Sequence, residues 1–455
     1  MRTINILLTI LLFIVSARTQ EPRVLTLENS MSIAFDNNPE LQMAEKEYKK
    51  TKAGVWEAYS GILPSLNGNV NFQHAWDIQE TTIPNFIKQM MGPQAPPGMP
   101  DYVRISFGLE NTFTYGATLT QPLFLGGAGI AGVKIAYAAK RAAEKNYSSI
   151  RQQLIYDVSD AFYGCLLTEE LSKVTQKALE QAEANFDMVD KKYKAGTASG
   201  FDQMRAKVEV ANLKPELISA RNNHQLSLTR LRNVLGLQKD VNFIIQGALM
   251  YEQDPFGSMP LDTLQNMALE NRPEMHALLE QKYISKKSIT IARSNFLPKL
   301  FFQTDYSKMA MRNDYKFTDE DFSKGFTSAI SLQIPLFNGF KNLKQYQKSQ
   351  LDYRIMLDTE KQVRDGVLAE VEVAYNKFRE AKEKYLAAAE SVGLAEESLR
   401  LATLMYEEGA STQLDVLNAQ LALNRARVNY ASSVYEHQMA RYQLRKVTGN
   451  LKEIL

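Results

Sequence analysis

Few side chains in this 455-residue sequence have the type and spacing that covalent or metal chemistry requires. The single cysteine, Cys165, excludes an intrachain disulfide and any thiolate-rich metal site. His74, His224, His276 and His437 are scattered, with no pair at the i,i+4 spacing that would put two ligands on one helix face. No nucleophile motif is present, so an enzyme has little to work with and no cofactor is implied. What the sequence does place twice is a carboxylate at a fixed distance beyond a tyrosine and a glycine: Tyr193-x-x-Gly196-x5-Asp202 and Tyr406-x-x-Gly409-x5-Asp415. Such groups attract ions or stabilise the positive end of a helix, and both readings stand at this point. Lys+Arg 53 against Asp+Glu 51 leaves a net charge of +2 with no basic block, which gives nucleic acid nothing to bind.

The duplicated carboxylates belong to a duplication of the whole chain. Asn37, Pro39, Glu40, Ala58, Ser60, Leu63, Pro64 and Leu66 return 234 residues later as Asn271, Pro273, Glu274, Ala292, Ser294, Leu297, Pro298 and Leu300. From Phe113 onward the offset is 213, matching Pro122-Leu123-Phe124 to Pro335-Leu336-Phe337 and Gly236 to Gly449. The difference falls between residues 67 and 112, a longer loop in the first copy that carries Pro84, Pro93, Pro96, Pro97 and Pro100. The expected layout is a first repeat over 24–236, a connecting segment over 237–260, a second repeat over 261–449 and a tail over 450–455. Ahead of them, Arg2, the apolar stretch Ile4 to Val15 and the small residues Ser16 and Ala17 read as an export signal over 1–17. No later segment approaches the ~18 apolar residues of a membrane helix, so any membrane contact must use strands or a surface.

Each copy holds two stretches of period-two alternation, expected as strands over about 66–76 and 105–121 and over about 300–306 and 326–334. One face of each is apolar and the other is rich in Asn, Ser, Thr and Gly. That pattern suits a transmembrane β-strand or a soluble sheet resting on a core. The sequence that follows is made of good helix formers, with helices expected over about 128–194, 201–235, 341–408 and 414–448. Val367, Val371, Ala374, Phe378, Ala381, Tyr385, Ala388, Val392, Ala395, Leu399, Ala402 and Tyr406 keep a 4,3,4,3 spacing. Their counterparts run from Leu154 through Cys165 to Tyr193, the seam of an antiparallel coiled coil that makes Cys165 a small core residue. A 67-residue helix spans about 100 Å, whereas a compact globule of this length has a radius of gyration of about 22 Å, which excludes a single globule.

Four strands cannot stand alone in lipid, because unpaired edge N–H and C=O groups cost several kcal/mol each there. Two chains give eight strands and a filled interior; three give twelve and a passage. An exported coiled-coil scaffold or adhesin shares the seams and the signal but leaves the polar strand faces without a purpose.

The Pro-Glu repeat, the Pro-Leu-Phe-x-Gly junctions (Pro122 to Gly126, Pro335 to Gly339) and above all the Tyr-x-x-Gly-x5-Asp motifs, the second continuing to Leu417 and Ala419, resemble the TolC-like outer-membrane efflux and secretion channels, over about residues 24–450. The resemblance implies a mainly helical fold with transmembrane β-strands. Two tandem repeats, each a β-hairpin plus long antiparallel helices, would close into a β-barrel and an α-helical barrel as a homotrimer. It also implies the outer membrane with its lipid, a helical part in the periplasm, a periplasmic adaptor and an inner-membrane pump as partners, and passive conduction. It places Asp202, Tyr406, Asp415 and Asn418 at a periplasmic constriction, with Asn418 where the family has a second acid and Ser411 where it has an Arg. It sets the turns Ala195-Gly196-Thr197 and Glu408-Gly409-Ala410 against the adaptor.

Overall fold

The computed structural model describes residues 23–451; the expected leader over 1–17 and the end of the expected tail lie outside them. In chain order the elements are β1 (Arg23–Leu25), α1 (Leu27–Asn37), α2 (Pro39–Ser60), β2 (Ser65–His74), β3 (Glu80–Pro84), α3 (Phe86–Met91), β4 (Tyr102–Ser106), β5 (Asn111–Phe124), α4 (Ala128–Lys194), α5 (Gly200–Val234), β6 (Phe243–Ile245), α6 (Leu261–Asn271), α7 (Pro273–Ser294), β7 (Lys299–Arg312), β8 (Ser323–Gln333), α8 (Lys341–Glu407) and α9 (Gln413–Val447). Helix dominates, and helix lengths recur: 11, 22, 67 and 35 residues in α1, α2, α4 and α5, and again in α6, α7, α8 and α9. The chain forms two compact units, one from Lys50–Lys140 and Glu280–Leu357, the other from the remainder.

The first unit is built on an antiparallel sheet of order β2-β5-β7-β8. Its register sorts most of the alternating residues by face. Leu66, Val70 and Phe72 oppose Leu119, Tyr115 and Phe113, while Tyr306 and Phe302 oppose Phe326 and Ile330, so all of these share one face. The other face carries Asn67, Asn69 and Asn71 against Thr118, Gly116 and Thr114, together with Gln303, Asp305, Thr327 and Ser331, with Phe301, Met309 and Met311 as its apolar exceptions. Leu66, Val70, Phe326 and Ile330 are each at least 70% exposed, far more apolar surface than a water-facing sheet leaves open.

The strand expected over about 105–121 is two strands. Tyr102–Ser106 pairs with Glu80–Pro84 in a separate two-stranded sheet, the chain passes through an irregular stretch in which Gly108 has φ 114°, and β5 begins at Asn111. The period-two pattern ran through this break because both strands alternate. Asn111 marks the true start: it is fully buried, its Oδ1 lies 2.7 Å from His74 Nδ1, and its amide donates to the Asp314 carbonyl. β7 and β8 reach Arg312 and back to Ser323, further than the expected 300–306 and 326–334.

In the second unit α4 packs against α5, and α8 against α9. Leu154, Val158, Ala161 and Cys165 enter one core with Leu231, Leu235, Met439 and Tyr442, while Val367, Val371, Ala374 and Phe378 enter another with Leu444 and Val447. α5 carries Pro215 in its interior, yet the helix continues, because Leu213 and Leu217 on either side are buried against Leu179 and Ala182 of α4. The connecting segment forms a strap along α9. β6 pairs in parallel with β1, Arg445 donates to Asp254 at 2.7 Å, Arg441 pairs with Glu252, and Tyr251 stacks on Tyr385 at 4.3 Å. α1, α2, α6 and α7, beyond the four long helices expected from sequence, fill stretches ahead of β2 and β7.

Cys165 is fully buried, and burial pushes its thiol up to about 11, with a Ser227 hydrogen bond opposing. A maleimide should therefore leave the native protein unlabelled at pH 7 and label one site once denaturant unfolds α4. Rapid labelling without denaturant would contradict this packing.

Candidate functional site at the helix turns

Each long helix ends where a left-handed glycine lets the chain turn. Gly196 (φ 76°) and Gly409 (φ 78°) close the same motif: Thr197 N–H donates to Lys192 O at 2.9 Å, and Ala410 N–H to Met405 O at 2.8 Å. No atom lies within 4 Å of a Cβ built on either glycine, and Ala195, Thr197, Glu408 and Ala410 are all exposed. The turns are open surface, free to meet another molecule.

Just beyond them, each returning helix is capped by a hydroxyl three residues ahead of the carboxylate. Ser199 Oγ accepts from Asp202 N–H at 3.1 Å and donates to its carboxylate at 2.6 Å. Thr412 does the same for Asp415, whose carboxylate also accepts from Thr412 N–H at 2.9 Å, a complete capping box. These bonds, the Thr412 hydroxyl's foremost, hold the Asp415 carboxyl below its usual range. Ser411, standing where the resemblance implies an Arg, donates to Asp415 at 3.3 Å. Both carboxylates thus stabilise helix starts, the plainer of the two readings the residues allowed, and that role leaves their outer lone pairs free to face ions.

The two hairpins meet at this end. Val189 of α4, Ala206 of α5, Tyr406 of α8 and Val416 of α9 form one buried cluster. Tyr406 is 8% exposed, whereas its counterpart Tyr193 is 44% exposed, so the duplicated tyrosines occupy different environments. Burial raises the Tyr406 phenol above its ordinary value, and the nearby Asp202 carboxylate adds to the rise. Asp202 and Tyr406 are electrostatic neighbours, but the Asp202 carboxylate is held by Ser199. Among the described residues no hydrogen bond or ion pair joins Asp202 to Tyr406 or to Asp415. Asn418 is exposed one turn beyond Asp415.

Sequence reasoning missed Lys192 and Gln413. Lys192 Nζ lies 4.1 Å from the Tyr406 ring centroid and donates to Tyr406 O at 2.9 Å, tying one hairpin to the other. Gln413 is buried, with no partner for either end of its amide among the described residues. Neither had a signal in the sequence, whereas the caps did: Ser199-x-x-Asp202 and Thr412-x-x-Asp415 are legible N-terminal patterns. Among the described residues no cluster of side chains could hold a metal ion.

A four-stranded sheet with one exposed apolar face, together with long helical hairpins, is the fold seen in outer-membrane channels. It superposes on the Campylobacter jejuni CmeC outer membrane channel with a TM-score of 0.76 at 18% identity, covering 93% of this chain and 86% of that one. The sequence matches the family described as Outer membrane efflux protein over residues 31–237 and 264–450, and the chain belongs to that family. It is an outer-membrane protein. Among its relatives, the alkaline protease secretion protein AprF of Pseudomonas aeruginosa is 22% identical over 94% of this chain and 85% of its own length. The cobalt-zinc-cadmium resistance protein CzcC of Cupriavidus metallidurans is 23% identical over 93% and 90%.

The depressed Asp415 carboxyl sets a sign for pH. Its contribution to the first turn of α9 is fully present above the ordinary carboxylate value of about 3.9 and is lost as pH falls through the lower folded value. Corrected for intrinsic rates, hydrogen exchange in peptides spanning residues 408–420 should be flat from pH 7 to about 5 and accelerate below about pH 4. Thr412→Ala should show the fast exchange already at pH 7. Equal protection in both proteins at every pH would refute the capping role.

Proposed function

We propose that three copies of this chain form the outer-membrane exit duct of a tripartite efflux or type I secretion system. The observation that carries this reading is the sheet. One face is apolar and exposed, the other is lined by Asn, Thr, Ser and Gln, and β2 and β8 are open edges. Joining β8 of one copy to β2 of the next satisfies the edges, turns the apolar face to lipid and encloses the polar face. Three copies supply twelve strands, enough for a water-filled interior.

In this reading the chain is two copies of one unit, over 24–236 and 261–449, each giving a hairpin of strands and two long helices. The helices close a second barrel in the periplasm through the same side-by-side seams. Asp202, Tyr406, Asp415 and Asn418 shape its narrow end, and the turns Ala195-Gly196-Thr197 and Glu408-Gly409-Ala410 receive the adaptor through which an inner-membrane pump delivers cargo. No bond is made or broken in the duct. The two relatives named above carry names for unlike cargo, a secreted protease and metal ions, so the pump rather than this lining chooses what passes.

In planar bilayers the purified protein should give discrete conductance steps, and cross-linking should stop at the trimer. Asp202→Ala with Asp415→Ala should raise closed-state conductance and lower cation preference. Cysteines at Ala195, Thr197, Glu408 and Ala410, in a Cys165→Ala background, should capture a periplasmic protein in cells. An inserted, folded oligomer with no conductance would end the duct reading, and unchanged conductance and selectivity in the double variant would remove the constriction assignment.

A further inference from the structure

The apolar face of the sheet is interrupted at one level by two lysines. Of the side chains in β2, β5, β7 and β8, only three charged ones fall on that face: Lys308, Arg312 and Lys324. Arg312 is neutralised by Asp314 at 2.6 Å and Asp321 at 2.7 Å. Lys308 and Lys324 sit directly opposite each other in the β7–β8 register, and no carboxylate pairs with either among the described residues. Cross-strand neighbours on one face have Cβ atoms about 4.5–5.5 Å apart, where like charges destabilise the pair. Two unneutralised cations at that spacing on an apolar surface call for an anion between them.

Their height on the sheet says which kind. Lys308 is eight residues along β7 from Leu300, about 27 Å of strand, or roughly 20 Å of height at a tilt near 40°. A lipid-facing band is about 25 Å tall, so the pair lies near its upper edge. This is the end where β7 turns into β8, opposite the end where β5 and β8 lead into α4 and α8. Aromatic rings surround the level: Lys308 Nζ is 6.0 Å from the Tyr115 ring, Tyr115 and Phe322 contact at 5.2 Å, and Tyr306 pairs with Phe326 one step below. Aromatic residues gather at a membrane's polar boundary.

We propose that Lys308 and Lys324 form a binding site for the phosphate of an outer-leaflet glycolipid headgroup. The site rests on the barrel reading above, which turns this face to lipid. The two ammonium groups share the phosphate oxygens, the aromatic rings below pack on the lipid's apolar body, and the bound anion relieves the lysine repulsion that otherwise weakens β7–β8 pairing. A lipid-borne phosphate fits better than a free one, because the lysines stand at the border of an exposed apolar surface.

The test titrates the purified full-length oligomer with a diphosphorylated lipid A, with the same lipid dephosphorylated, and with inorganic phosphate, reading bound species by native mass spectrometry. The wild-type protein should retain the phosphorylated lipid and lose it when its phosphates are removed. Lys308→Gln and Lys324→Gln should each weaken retention roughly fivefold, and the double variant roughly twenty-five-fold. The Lys308→Arg, Lys324→Arg variant should keep it. Equal retention by wild type and the Gln double variant, equal retention of the dephosphorylated lipid, or full competition by inorganic phosphate would each overturn the site. Planar-bilayer conductance of the same samples separates the two readings. A conducting Gln double variant with wild-type lipid retention defeats only the lysine site, and a wild-type protein that inserts without conducting defeats the duct itself.

Discussion

The structure depends on a sheet that is incomplete in one chain. β2 and β8 each leave one side of their backbone unpaired, and the face between them is too apolar for water. In hydrocarbon unpaired edge groups cost more than a marginally stable domain can supply, which is the physical ground for the proposed joining of edges between copies. The same incompleteness holds along α8, where Val373, Leu386, Leu394, Leu401 and Leu404 remain exposed after α9 has packed. The apolar residues are thus distributed beyond what one chain buries, and the proposed assembly would cover them and enclose a passage.

The helix turns show how one residue can satisfy both structure and function. Asp202 and Asp415 hold the starts of α5 and α9 through hydroxyl caps, so their geometry is fixed before any ion or partner arrives. A carboxylate already immobilised in this way presents its field at a defined place. The asymmetry between the hairpins, with Tyr406 buried beneath Lys192 and Tyr193 exposed, makes one side of each turn pair firmer than the other. The Lys192 contacts join α4 to the end of α8.

Patterns with a short period were legible in the residues, and contacts between distant segments were not. The 4,3,4,3 seam marked α8 and α4, and the Tyr-x-x-Gly-x5-Asp motif marked both turns, because each arises from local geometry. The alternation over 105–110 misled because its first two residues end β4, which pairs with Glu80–Pro84, and the rest lie in the irregular stretch between β4 and β5. His437 shows the same limit. Its sequence neighbours give no hint that Tyr251, Phe378 and Tyr385 surround it or that burial pushes its imidazole down to about 4, keeping it neutral in the core.

By itself the sequence determined the character of the longest segments: duplicated, strand or long helix, apolar on one side, turned at Gly196 and Gly409. Those properties follow from side-chain periodicity and backbone preference within a few residues. Only the tertiary structure decided which segments meet. It set Lys308 against Lys324, placed Lys192 on Tyr406, and wrapped the Glu252 and Asp254 strap around Arg441 and Arg445. Such pairings depend on strand register and helix packing between residues tens to hundreds of positions apart, and no local pattern carries that information.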